Sequence, residues 1–274
     1  MIRLCNPMTA EIPEDSEAGV RIASLRDTYG DRPAVWRLYA GEGGSLLAVC
    51  GQTAVLLPGE DAEEAALFAS MDPELRTVRT DAETAGLLRR LDFRACRTGE
   101  VLCRSAGVAS PAPDGARAQS VRPDTLYPLL TACFPGELPP YDVWYADVFY
   151  RVRRGRCRAA AVLREEGAVS AALTVAETAH SRLIGGVATL SAYRGRGYAS
   201  ACVAALAAAA EDVPLQQNRC RLTETAPEWQ KLQSAGSDAA AGPRCLLAPR
   251  EATLIPWYVR LGFAPCGTWG EAVR

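Results

Sequence analysis

Four residues, Arg194-Gly195-Arg196-Gly197, stand between a short apolar run at 183–190 and an alanine-rich segment that begins at Tyr198. The run mixes β-branched and small apolar residues as a buried strand does, and the segment after it holds helix formers with no breaker before Pro214. Strand, turn and helix in that order leave several backbone N–H groups at a helix N-terminus. Four donors there lack intrahelical partners, and the summed peptide dipoles add a partial positive charge. Such an end takes an anion, a phosphate above all. Gly195 and Gly197 permit positive φ and close ligand approach, and Arg194 or Arg196 adds a fork of charged donors suited to a pyrophosphate. A glycine-rich turn before an ordinary core helix has the same local pattern.

Two common phosphate motifs do not fit. A P-loop needs a lysine and a spacing that are absent after this strand, and the dinucleotide fingerprint needs a third glycine and an early position in the chain. The stretch resembles motif A of the GCN5-related N-acetyltransferases, Q/R-x-x-G-x-G/A. Arg194-x-x-Gly197-x-Ala199 fits it, with Val187 and Thr189 upstream as in the V-x-T strand of that family. A second anchor lies further on, where Tyr258-Val-Arg-Leu-Gly-Phe263 matches the Y-x-x-x-G-F ending of the family's motif B. The resemblance spans 118–274.

The resemblance implies an α+β fold, a central mixed sheet flanked by helices, and acetyl-CoA or another acyl-CoA as co-substrate in a cleft where the fourth and fifth strands splay. Val187, Ala188 and Thr189 would offer backbone groups to the pantetheine. Arg194, Gly195, Arg196, Gly197, Tyr198, Ala199 and Ser200 would hold the pyrophosphate. An amine attacks the thioester directly, so no covalent enzyme intermediate is needed. Tyr258 matches the general acid that protonates the departing thiolate. Glu177 is the candidate base, although it reads equally as a solvated hairpin residue. Tyr141 and Tyr145 sit on the helix that overhangs the acceptor in this family.

The elements that must position these residues follow from periodicity. In the second half a short strand at 118–122 leads to a helix at 123–134 broken by Pro128, then a helix at 141–153. Trp144, Val148, Phe149 and Val152 make one apolar face of the latter. A hairpin at 157–164 and 168–177 continues into 182–190. After the glycine turn and its helix, 212–243 is polar, with a candidate strand at 220–224 and a candidate helix at 227–234. A strand at 244–248, a helix at 251–261 and a strand at 264–273 close the chain. The arginine run Arg151, Arg153, Arg154, Arg156 and Arg158 could attract an acidic acceptor, but arginines at a helix C-terminus read first as dipole partners on a solvated face.

The first half, 1–107, predicts helices at 16–28, 61–70 and 81–91, the second capped by Asp61, and strands at 35–40, 45–50, 53–57, 76–79 and 100–104. Leu88-Arg-Arg-Leu-Asp-Phe93 aligns with Tyr258–Phe263, with leucine for the tyrosine and aspartate for the glycine, and no glycine turn precedes it. These features imply a tandem arrangement, similar in layout to acetyltransferases of the mycothiol synthase type. Its degenerate N-terminal half would extend the sheet or wall the acceptor pocket. A proline-rich linker at 108–117 separates it from the catalytic half at 118–274.

Composition narrows the partners. The chain has 274 residues, 49% hydrophobic, and a formal charge of −2, which excludes the basic footprint of a nucleic-acid binder. Its ten cysteines are scattered without a CxxC pair and its one histidine, His180, falls in a hairpin turn, so neither a metal site nor a disulfide framework is expected. No apolar run reaches membrane-spanning length, and 1–7 does not read as a signal peptide. The expectation is a cytoplasmic monomer or homodimer acting on a small-molecule amine. The competing expectation is a non-catalytic acyl-CoA sensor that works through a protein partner.

Overall fold

Continuous apolar runs buried on both faces set the central strands and a few caps set the helices. The computed structural model describes residues 1–104, 117–208 and 244–274. In the first half β1 (Arg3–Cys5) precedes α1 (Glu17–Tyr29), whose start is capped by Ser16 accepting from the Gly19 N–H. The strands β2 (Arg37–Ala40), β3 (Leu46–Cys50) and β4 (Thr53–Leu57) form a meander. They are followed by α2 (Ala62–Met71), β5 (Thr77–Thr80), α3 (Ala82–Leu91) and β6 (Ala95–Arg104). Asp81 caps α3 as its position suggests. Asp61 does not cap α2: its carboxylate instead accepts from the Ser45 N–H at 3.0 Å, drawn there by the glycine turn at 41–44.

The second half runs β7 (Gln119–Ser120), α4 (Tyr127–Cys133), α5 (Tyr141–Arg153), β8 (Ala159–Arg164), β9 (Gly167–Glu177), β10 (Ser181–Thr189), α6 (Tyr198–Ala208), β11 (Arg244–Leu247), α7 (Ile255–Arg260) and β12 (Ala264–Val273). Pro128 does not break a helix. A 3-10 turn over Pro123–Leu126 leads into α4, and Pro128 sits in the first turn of α4, where a missing N–H costs nothing. The expected helix at 251–261 divides likewise into a 3-10 turn (Ala252–Leu254) and α7. The candidate strand at 220–224, the candidate helix at 227–234 and nearly all of the linker at 108–117 lie outside the described residues.

All twelve described strands join one mixed sheet in the order β1-β2-β3-β4-β5-β12-β6-β11-β10-β9-β8-β7. Read inward from either edge, five strands of one half mirror five strands of the other. The two final strands are exchanged: β12 pairs with β5, and β6 pairs with β11. They also pair with each other along nearly their whole length. Separating the halves would therefore break main-chain bonds on both sides of β6 and β12.

Helices cover both faces. On one, α1 packs through Ile22 on Leu38, Leu46 and Val55, and through Val20 on Ala176, Leu183 and Leu246 of the opposite half. The same face carries α4 and α5, with Leu130, Trp144 and Val148 against Ala159, Ala161 and Ala171. On the other face α6 and α7 pack Cys202, Leu206 and Tyr258 over Ala160, Val162 and Leu247, and Ala66 and Leu88 of α2 and α3 lie on Leu56 and Val78. Within α5, Phe149 departs from the expected apolar face and is 43% exposed. No described cysteine is in a disulfide, and Cys202 and Cys245 are buried as small hydrophobes.

Candidate active site

The gap in the sheet creates the site. β10 and β11 run parallel and pair only from Ser181 with Arg244 to Ile184 with Leu247. Beyond that point β10 keeps β9 on one side, as far as Thr189 with Ser170, and loses β11 on the other. On the side that β11 has left, backbone groups of 185–189 have no strand partner, where burial would be costly unless something else bonds to them; the Thr189 carbonyl accepts from Arg194 Nε at 3.2 Å. Register shifts at Leu183/Ile184 and Gly185/Ala188 bend the strand here. Gly186 takes φ 54°, and a Cβ on it would come within 2.3 Å of Leu173 Cδ2.

A 3-10 turn (Ser191–Tyr193) then carries the chain into the glycine turn, where Gly195 and Gly197 both have φ 75°. A Cβ at Gly195 would touch nothing, so the backbone conformation itself calls for glycine. The Ala201 N–H bonds the Gly197 carbonyl at 3.0 Å. The donors of the preceding turn are therefore left over at the start of α6, as an anion site requires.

A cavity of about 1110 Å³ occupies the gap and joins these parts. Val187, Ala188 and Thr189 line it from β10, and Arg194, Gly195, Gly197, Tyr198, Ala199 and Ser200 from the turn and the start of α6. Arg196 does not line it. Its guanidinium lies 5.4 Å over the Tyr193 ring and donates to the Ala192 carbonyl at 3.4 Å, so of the two arginines of the turn only Arg194 faces the cavity. The Tyr198 hydroxyl is held by Arg164 Nη2 at 2.5 Å, a bond that lowers its pKa.

Tyr258 reaches the same cavity from α7. It is 4% exposed, with the Trp257 ring 4.4 Å away and Phe263 edge-on at 6.3 Å. Burial pushes its hydroxyl pKa up to about 12, so it stays protonated, and among the described residues it has no hydrogen-bond partner. Its neighbour Trp257 donates Nε1–H to Ser200 Oγ at 3.0 Å, tying α7 to the first turn of α6. Sequence reasoning overlooked Trp257, because a cross-helix bond leaves no periodic signal.

Helix α5 borders the cavity, but not through the expected tyrosines. Trp144, Asp147, Val148 and Arg151 line it. Tyr141, 50% exposed, and Tyr145 lie further round the helix in a row of rings that runs from Tyr127 to Phe149. The i, i+4, i+7 stripe of Trp144, Val148 and Arg151 takes the inner face, which leaves the tyrosines outside. Arg151 is likewise no solvated dipole partner. Its Nη1 donates to the Val175 carbonyl at 2.6 Å and its Nε lies 3.3 Å from Asp147 Oδ2. Asp147 also accepts from the Tyr29 hydroxyl of α1.

Glu177 does not reach the cavity either. It pairs with Arg182 at the start of β10, the end remote from the glycine turn. Only 2% exposed, its carboxylate accepts from Arg158 Nε at 2.8 Å, Arg182 Nε at 3.0 Å and the Thr174 hydroxyl at 3.0 Å. It is neither a base at the cleft nor a solvated residue, but the centre of a buried ion-pair network. Of the carboxylates that line the cavity, Glu137 pairs with Arg250 and Asp147 with Arg151, whereas Glu251 has no side-chain partner among the described residues. No cluster of metal-ligating groups occurs among the described residues, and no described helix is long and apolar enough to cross a membrane.

The family model for the acetyltransferase (GNAT) family matches residues 124–228. No curated protein matches the chain. Among solved structures, a GCN5-related N-acetyltransferase from Sphaerobacter thermophilus is 14% identical, with a TM-score of 0.55 over 100% of this chain and 95% of its own. One from Kribbella flavida is 16% identical, with a TM-score of 0.53 over 93% and 94%. A tandem GNAT protein from the clavulanic acid biosynthesis pathway is 16% identical, with a TM-score of 0.51 over 98% and 91%. These likenesses establish the fold, and the matched segment contains the strand, glycine turn and helix start that build the cavity. Residues 124–228 thus match the model of the GNAT acetyltransferase family, and the chain has the fold of solved GNAT proteins.

Proposed function

We propose that the protein is an acetyl-CoA-dependent N-acetyltransferase that acetylates a primary amine of a small molecule by direct attack in a ternary complex. One observation carries this reading. The unpaired edge of β10, the donor-rich start of α6 and the buried Tyr258 hydroxyl all line a single cavity.

The residues fit such a co-substrate. The strip at 187–189 offers backbone groups to pantetheine amides, and the turn from Arg194 to Ser200 offers N–H groups and a guanidinium to a pyrophosphate, with no Cβ in the way at Gly195 or Gly197. Acetyl-CoA supplies an acyl carbon activated as a thioester. An N–C bond forms as the C–S bond breaks; the attacking ammonium gives up one proton and the departing sulfur gains one. Tyr258, kept protonated by burial, supplies the second proton.

The mirrored strand order supports a tandem arrangement in which only the C-terminal half serves the co-substrate. At the start of α2, the counterpart of α6, Asp61 places a carboxylate instead of a glycine turn. Burial opposes its charge, but the bonds from Ser45 and neighbouring backbone prevail and hold its pKa below the usual range. A second anion would be repelled there. The reading places the protein in a reducing cytoplasm.

Calorimetric titration with acetyl-CoA tests the assignment. Gly197→Val forces a β-branched side chain onto φ 75°, a strain on the order of 1–3 kcal/mol, and blocks the backbone approach. Loss of binding in a variant with an unchanged circular dichroism spectrum is expected, and unchanged affinity would refute the site.

A further inference from the structure

The same cavity is also lined from the N-terminal half. Arg21 of α1 and Arg79 of β5 line it there, and Arg250, from the turn after β11, joins them. Two acids stand behind these cations without lining the cavity. Glu17, 4% exposed, accepts from Arg21 Nε at 2.5 Å, and Glu271 lies 2.7 Å from Arg79 Nη2. Among the described residues Arg21 engages Glu17 through its Nε–H and Arg79 engages Glu271 through Nη2, and neither has a buried, unsatisfied nitrogen. Their remaining N–H groups therefore open onto the cavity.

Glu17 and Glu271 orient Arg21 and Arg79, and Glu137, which lines the cavity, pairs with Arg250. Crowding by Arg21, more than burial, lowers the Arg79 pKa to about 10, and Arg250 adds to this, although Glu271 and Glu17 pull the other way. Guanidiniums with free N–H pairs are matched to an oxyanion, which they bind by paired, charge-assisted bonds.

A CoA pyrophosphate already has its place at the start of α6, which packs on the other face of the sheet from α1. An anion at Arg21 and Arg79 therefore belongs to the second substrate. We propose that Arg21, Arg79 and Arg250 form an oxyanion subsite that selects acceptor amines carrying a carboxylate or phosphate group. This rests on the acyltransfer reading above, and it gives the N-terminal half a direct part in specificity.

The test uses the full-length protein and matched acceptors: an amino acid, its carboxamide, and the aminophosphonate of equal length. With acetyl-CoA present, wild type is expected to show at least about tenfold higher kcat/KM for an anionic acceptor than for the amide, as charge-assisted bonds provide. The carboxylate and phosphonate arms show which oxyanion is preferred. Arg21→Met should erase that ratio while the acetyl-CoA Kd is retained. Arg250→Met, at a side chain 41% exposed and so tolerant of change, should lower it and guards against a folding artefact. Equal use of amide and acid, or a ratio unmoved in both variants, overturns the subsite while acyl transfer stands. If no acceptor turns over, calorimetric binding of the acids decides: binding lost in Arg21→Met supports the subsite without the transferase, and no binding to wild type overturns it.

Discussion

Trp257 Nε1 donates to Ser200 Oγ at 3.0 Å, so the helix that carries Tyr258 is fastened to the turn that offers backbone N–H groups to a phosphate. The proton donor and the anion site are held in register by one side-chain bond across the sheet gap. Trp257→Phe removes the bond and keeps the ring. A lost hydrogen bond is worth about 1 kcal/mol, or roughly 2–4 °C in Tm for a chain of about this size. Scanning calorimetry should show that drop, and titration should show weaker acetyl-CoA binding. A variant unchanged in both would mean that the bond is incidental.

Tyr258→Phe separates binding from chemistry. The account expects kcat to fall by about 10²–10⁴ with the acetyl-CoA Kd unchanged, because the hydroxyl has no hydrogen-bond partner among the described residues. Stopped-flow or steady-state thiol release beside calorimetry checks it. Wild-type turnover by the variant would remove Tyr258 as the acid.

The pH dependence has a sign. Burial raises the Tyr258 pKa to about 12, above the value of about 10 of an exposed phenol. Tyr258 should therefore impose no fall in kcat below about pH 11, and the rising limb should follow deprotonation of the acceptor ammonium. In the unfolded chain the phenol loses its proton first, so the stability it contributes is intact below about pH 10 and is lost as pH rises towards about 12, on the order of 2 kcal/mol. Urea unfolding of wild type and Tyr258→Phe over that window measures the difference. Parallel pH profiles for the two proteins would contradict the assignment.

Glu177 predicts stability and not rate. Glu177→Gln leaves Arg182, whose side chain is 5% exposed, without its buried carboxylate. Breaking a buried pair costs about 3 kcal/mol or more, roughly 6–12 °C in Tm. The folded enzyme should keep its kcat; a selective loss of kcat at unchanged Tm would restore Glu177 as a base.

What the sequence made legible follows from where the information lies. The glycine turn was readable because positive φ at Gly195 and Gly197 restricts residue type locally, and helix 141–153 was readable from periodicity. Tyr258 came from its motif. The exchange of β6 and β12 was not readable, since pairing partners depend on contacts between remote segments. Arg21 and Arg79 carry no local signal in the sequence, because only the strand order brings α1 and β5 to the wall of a cavity in the other half. Tyr141 and Tyr145 misled because an aromatic helix face does not say which side of it faces inward.

The most direct test of the central claim is thiol release from acetyl-CoA by the wild-type protein across a panel of small amines, with acetyl-CoA binding measured on the same preparation. The account predicts saturable binding and amine-dependent thiol release with an N-acetylated product. Tight binding with no amine-dependent release from any member would contradict the transferase and leave an acyl-CoA sensor in its place.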